Sequence, residues 1–257
     1  MPGAAIPMSS LSEFLVFAAV GALAQLVDGA IGMAYGVVCA AMLLALGLPP
    51  SVASASVHYA ETFTCGASGI SHLIAGNVRR RLFLGLVIPG VIGAVIGAYL
   101  VSHLPAAWIR LALTPYLLGV SIFLLLRVRQ RIHHDGNDAP TTHPALGLFS
   151  GFADAAAGGG WSALTVTTLI ARGARPRVVV GTTHLAKCVI SAAASVTFLL
   201  HVGATQPTAV LGLIIGGVAA APFGALFARR LPARAVTMLA AIAVLGLGLN
   251  NVVRAFH

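Results

Sequence analysis

Charge is scarce in this chain. Asp, Glu, Lys and Arg make up 8% of its 257 residues, where soluble globular domains carry about 25%. There are six acids and a single lysine, Lys187. So little charge excludes an ordinary soluble domain. The three cysteines, Cys39, Cys65 and Cys188, lie in apolar segments without CxxC spacing, which argues against a disulfide framework and a cysteine-based metal centre. The sequence has no HExxH pair and no nucleophile elbow. No catalytic residue, metal site or cofactor is assigned, and the chain reads as something other than an enzyme. No Lys or Arg precedes the first apolar run, so no signal peptide is read. The apolar runs also lack the period-two alternation of a barrel strand.

What is present is 58% hydrophobic, with a mean hydropathy of +0.97, in runs of helix length. This predicts an all-α polytopic membrane protein. The net charge of +9 comes from arginines clustered between apolar runs, at 79–81, 127–131, 172–177 and 229–234. Such clusters are a topology signal facing lipid headgroups, and no nucleic-acid partner is expected. Placing all four in the cytoplasm leaves the loops at 48–50, 102–106 and 203–206, which have no Lys or Arg, on the outside. The expectation is a multi-pass protein of the cytoplasmic membrane with both termini outside.

Two apolar stretches are interrupted by an acid and glycines: QLVDGAIGMAYG at 25–36 and GFADAAAGGGW at 151–161. Bilayer interior solvates neither a charge nor exposed backbone, so such breaks are costly unless buried in protein or lining a cavity. In the first, apolar runs at 14–27 and 33–47 flank a break at 28–32. Each is about 15 residues, roughly 22 Å of helix, short of a hydrocarbon core of about 30 Å. A hairpin that enters and returns on one side is the simplest fit. Apolar helices are then predicted at 51–75, 82–101 and 106–126, followed by a polar stretch containing His133, His134 and Asp135, which reads as a solvated loop.

The second half repeats the first. Asp154 follows Asp28 by 126 residues (154 minus 28), and the same offset matches Tyr35 with Trp161, Pro50 with Pro176 and His58 with His184. After one inserted residue, Gly90 matches Gly217 and Pro105 matches Pro232. The domain reading is a tail at 1–12, one transmembrane repeat at 13–127, a polar cytoplasmic linker at 128–143 and a second repeat at 144–257. Each repeat is a broken-helix or re-entrant hairpin followed by three transmembrane helices. Three crossings per half make the repeats inverted, as in secondary transporters.

Three acids and the one lysine fall inside apolar segments: Asp28, Glu61, Asp154 and Lys187. Helix 51–75 carries Ser54, His58, Glu61, Cys65, Ser68 and His72 at helical spacing on one face, and helix 177–201 carries His184, Lys187 and Ser191 on the equivalent face. The second hairpin arms, expected to begin near Ile31 and Ala157, would aim unpaired N–H groups at a common cavity, which makes an anion site. The candidate cradle is the backbone of Ile31, Gly32, Met33, Ala34 and Tyr35, and of Gly158, Gly159, Gly160 and Trp161. His58, His184, Lys187 and Ser191 would add positive charge or donors. Asp28 and Asp154 are expected to cap the broken helices. Glu61 would pair with Lys187 or carry a coupling proton, since a buried carboxyl or imidazole can titrate near neutral pH. Lys187 serves equally well as a purely structural partner of Glu61.

The set VDGAIGMAYG, LGLPPSVASAS, HLIAGNVRRRL, GFADAAAGGGW and RPRVVVGTTHLAK, in this order, resembles the TauE/SafE family of sulfite exporters over nearly the whole chain. That resemblance implies transport of a small sulfur-containing anion: sulfite, sulfoacetate or another organosulfonate. The expected partners are such a solute, a proton or other coupling ion, and the lipid bilayer. A passive anion channel is the alternative, and a membrane-embedded enzyme a more distant one.

Overall fold

The computed structural model describes residues 10–31, 35–128, 144–204 and 206–227, and single positions 238, 242 and 245. Among these residues the chain is helical and without strands: α1 Ser10–Ile31, α2 Tyr35–Ala45, α3 Pro50–Ile74, α4 Arg80–His103, α5 Ala106–Val128, α6 Pro144–Ala157, α7 Trp161–Ala171, α8 Pro176–His201 and α9 Pro207–Phe227. Proline opens α3 and α8 at the first turn, where its missing N–H costs nothing. By length and composition, α4 and α8 can each cross a bilayer. Phe63, Ile70, Ile88, Ile92, Leu199 and Leu200 stand exposed on the outer faces of α3, α4 and α8, as helices facing lipid require. The protein is a helical membrane protein.

The helix before the first break differs from expectation. α1 runs 22 residues, through Asp28 to Ile31, about 33 Å of helix and long enough to cross. The helix continues past Asp28, whose buried carboxylate accepts the amide of Tyr35 at 3.2 Å. In the second half the second arm begins at Trp161, which corrects the expected start near Ala157, and in the first half α2 is described from Tyr35, residues 32–34 lying outside the described residues. In the second half α6 is described over 14 residues, from Pro144, and α7 over 11.

α3 and α8 lie against each other and run antiparallel. A Cβ on Gly181 near the start of α8 would sit 2.8 Å from the His72 side chain at the end of α3. Tyr59, nearer the start of α3, donates to the Gly203 carbonyl just past α8 at 3.3 Å. The Arg79 amide donates to Thr182 Oγ1 at 3.0 Å, so arginines 79–81 and 172–177 sit at one end of the bundle. The loops at 48–50 and 203–204 sit at the other. The remaining arginine clusters, the His133–Asp135 loop and the chain ends lie outside the described residues, apart from the helical backbone at 127–128.

The flanking packing comes in matched pairs. α1 packs on α9 and α6 packs on α4, each through a glycine that lets backbones touch. A Cβ on Gly21 would stand 2.5 Å from the Leu213 carbonyl oxygen, and one on Gly147 would stand 2.7 Å from that of Leu86. Gly217 lies against Tyr35 and Thr64, and Gly90 against Trp161 and Ile190. Each of these contacts joins the first half of the chain to the second, and the two members of each pair match at the sequence offsets of 126 and 127.

Candidate functional site

The second helix break shows how the backbone is arranged. Gly158 and Gly160 have φ of 74° and 143°, values that residues with a Cβ rarely adopt. These turns leave carbonyls exposed at depth, and neighbouring helices satisfy them. Ser54 Oγ on α3 donates to the Ala155 carbonyl at 2.6 Å, and Tyr116 Oη on α5 donates to that of Gly159 at 2.7 Å. On the other side of the break Trp161 begins α7, and its amide donates to Asp154 Oδ1 at 2.9 Å. In the first half the Tyr35 amide donates to Asp28 Oδ1 at 3.2 Å. Each aspartate reaches seven residues forward to serve an N–H that the next helix leaves unpaired.

The two breaks meet. A Cβ on Gly36 would stand 2.9 Å from Gly159 Cα and 2.6 Å from Glu61 Oε1. Only glycine leaves room there for both the opposite tip and the Glu61 carboxylate. Beneath this junction the polar faces of α3 and α8 converge. Lys187 Nζ lies 2.7 Å from Glu61 Oε1 and 3.0 Å from Asp154 Oδ1, with all three side chains at most 3% exposed. Asp154 Oδ2 lies 3.3 Å from His58 Nε2. Ser191 Oγ donates to Glu61 Oε2 at 3.5 Å, at the limit of a hydrogen bond. Asp28 Oδ2 lies 3.9 Å from His184 Nε2.

A small cavity of ≈ 10 Å³ opens on the Asp28 side, lined by Asp28, Tyr35, Glu61, Cys65, Ser162 and Lys187, among others. It has room for about one water molecule. His58, Glu61 and Asp154 bring ligand atoms within 4.8 Å of one another, a spacing a metal ion could use. The Lys187 ammonium already touches both carboxylates and supplies a cation there.

The sequence-derived candidates therefore separate into groups. Tyr35, His58, Glu61, Asp28, Asp154, Trp161, His184, Lys187, Ser191 and residues 158–160 are gathered around the junction. Ile31 lies in the last turn of α1, where amides are committed to the helix, so it is not a cradle donor. Gly32, Met33 and Ala34 lie outside the described residues. Sequence reasoning paired Lys187 with Glu61 and missed its second partner, Asp154. The residues matched by the 126 offset, 28 with 154 and 58 with 184, stand as two cross-half pairs, Asp154 beside His58 and Asp28 facing His184. Ser162 and Tyr116 were also missed, as was the Ala155 carbonyl that Ser54 of the polar stripe serves, since these roles depend on helix crossings and not on local spacing.

The sulfite exporter TauE/SafE family model matches residues 17–251. A probable membrane transporter protein, YtnM of Bacillus subtilis, is 40% identical over 223 residues, covering 84% of this chain and 74% of the relative. Sulfite exporter TauE/SafE family protein 3 of Arabidopsis thaliana is 29% identical over 115 residues, covering 45% of this chain and 24% of that protein. No solved structure matches the chain. With the family match spanning both helix breaks and both polar helices, the chain belongs to the TauE/SafE sulfite exporter family.

Proposed function

We propose that this protein is a secondary transporter carrying a small sulfur-containing anion, such as sulfite, sulfoacetate or another organosulfonate, across the cytoplasmic membrane by alternating access. The solute sits between the two hairpin tips, beside Lys187, Ser162 and the backbone at Tyr35 and at 158–161. His58, His184 and Ser191 complete its polar surroundings. The two halves act as inverted repeats. Supporting this are the antiparallel run of the equivalent helices α3 and α8 and the matched contacts of Gly21 with Leu213 and Gly147 with Leu86.

The observation that carries the reading is the junction itself: two broken helices meet tip to tip above a buried lysine. Non-helical backbone at membrane depth is tolerated where it serves a solute path. The cavity of ≈ 10 Å³ is smaller than any sulfur oxyanion, so the tips must part before a solute enters. That favours alternating access over a standing pore. The charge balance around Lys187 adds a requirement. Its ammonium is already shared by two carboxylates, so the solute must take it from Glu61.

Counterflow in proteoliposomes tests the function. Unlabelled sulfite or sulfoacetate loaded inside is expected to draw in labelled solute transiently above its equilibrium level. A channel gives equilibration without that overshoot. Transport of an unrelated cation, with no counterflow of any sulfur anion, sinks the proposal.

Cys65 lines the cavity and is 7% exposed. In a chain with Cys39 and Cys188 replaced by alanine, transported solute is expected to slow Cys65 labelling by a small thiol reagent several-fold. Equal labelling rates with and without solute would place the solute elsewhere.

A further inference from the structure

We propose that protons travel with the solute, held by two equivalent aspartate–histidine pairs, His58 with Asp154 and His184 with Asp28. This inference rests on the transporter reading above. It starts from a proton count at His58, which is fully buried. Its Nδ1 lies 2.8 Å from the Ser54 carbonyl oxygen and its Nε2 lies 3.3 Å from Asp154 Oδ2. Both ring nitrogens thus face acceptors. The Ser54 hydroxyl is committed to the Ala155 carbonyl and has no proton left for Nδ1. A neutral imidazole has a single N–H. Whichever nitrogen carries it, the other presents a lone pair to an oxygen. One further proton, shared between Nε2 and the carboxylate, satisfies both contacts.

The second pair is the repeat counterpart of the first, and it is open. His184 Nδ1 lies 2.8 Å from Ser68 Oγ. Its Nε2 has no hydrogen-bond partner among the described residues and stands 3.9 Å from Asp28 Oδ2, too far for a hydrogen bond. Both residues are 6% exposed, and Asp28 lines the cavity. One pair is in hydrogen-bond contact at 3.3 Å, and its counterpart is parted to 3.9 Å on the side where space remains.

The surrounding groups leave the protons needed for charge balance. On α3 these are Glu61 and Cys65, with His72 edge-on to His184 at 6.3 Å. Lys187 is on α8, Tyr35 and Cys39 are on α2, and Tyr116 is on α5. Three carboxylates, Asp28, Glu61 and Asp154, face the one fixed cation, Lys187. With neutral histidines the cluster carries two uncompensated negative charges before any anion arrives, at a depth that disfavours them. One proton on each pair removes both. Each aspartate also caps its own half's second hairpin arm, while its histidine stands on the other half's central helix. Closing a tip onto its histidine therefore takes up a proton, and opening it releases one.

The experiment uses the full chain in proteoliposomes, with a pH dye in the lumen and labelled sulfite or sulfoacetate. Wild type is expected to move protons in fixed proportion to solute, and an imposed pH gradient should drive accumulation. Net solute uptake into solute-free liposomes without proton movement overturns this inference alone, whereas absence of counterflow removes both readings. His58→Gln and His184→Gln keep a hydrogen-bond donor but cannot titrate, and each is expected to lower the proton-to-solute ratio at least twofold, whatever rate remains. An unchanged ratio in both overturns the assignment to these pairs. Should His58→Gln fail to assemble, Asp28→Asn on the open pair carries the same test.

Discussion

Replacing Lys187 by methionine is expected to lower stability by about 3–5 kcal/mol, the usual cost of removing one partner from a buried ion pair. The ammonium lies within 3.0 Å of two carboxylates that have almost no solvent contact. Asp154 keeps the Trp161 amide and His58 when the lysine is lost. Glu61 keeps only a 3.5 Å contact with Ser191, so most of the cost arises there. Pairing Lys187→Met with Glu61→Gln should therefore recover a large part of it, because the uncompensated charge is gone. Thermal unfolding of the purified protein in detergent reads both variants. Equal stability of wild type and Lys187→Met would show that the ion pair contributes little. The double variant also separates structure from transport: it is expected to be stable and inactive.

Gly160→Ala attacks the break itself. Gly160 holds φ of 143°, and a non-glycine residue in such a region costs about 1–3 kcal/mol. The added Cβ would also overlap the Tyr116 hydroxyl. That hydroxyl cannot simply withdraw, because it donates to the neighbouring Gly159 carbonyl at 2.7 Å. The expected result is loss of transport with a lower unfolding midpoint. In a Tyr116→Phe background the steric part of the penalty should fall while the backbone part persists, so the two substitutions will be non-additive. Additive effects would mean that Tyr116 and Gly160 do not meet in the folded protein. Gly173→Ala is the control: it has a comparable positive φ of 88° with nothing within 4 Å of the added carbon, and it should show backbone strain alone.

The sequence by itself determined the class of protein, the approximate helix positions and the polar groups held inside the bilayer. Those follow from composition, run length and helical spacing, which are local properties. The stripe from Ser54 to Ser68 was legible because steps of three and four residues share a helix face. The repeat in sequence was legible because both halves keep Asp, Gly, Pro and His in step. What only the tertiary structure decided is which acid meets which base. Asp154 meets Lys187, His58 and the Trp161 amide at once, while its counterpart Asp28 meets the Tyr35 amide and stands apart from His184. The offset makes these two aspartates equivalent, yet a single lysine cannot serve both. Its side chain goes to whichever carboxylate the crossing of α3, α6 and α8 brings within reach. The start of α7 was likewise decided by the fold. An aspartate that caps seven residues ahead moves the helix start past the point where the acid appears in the chain.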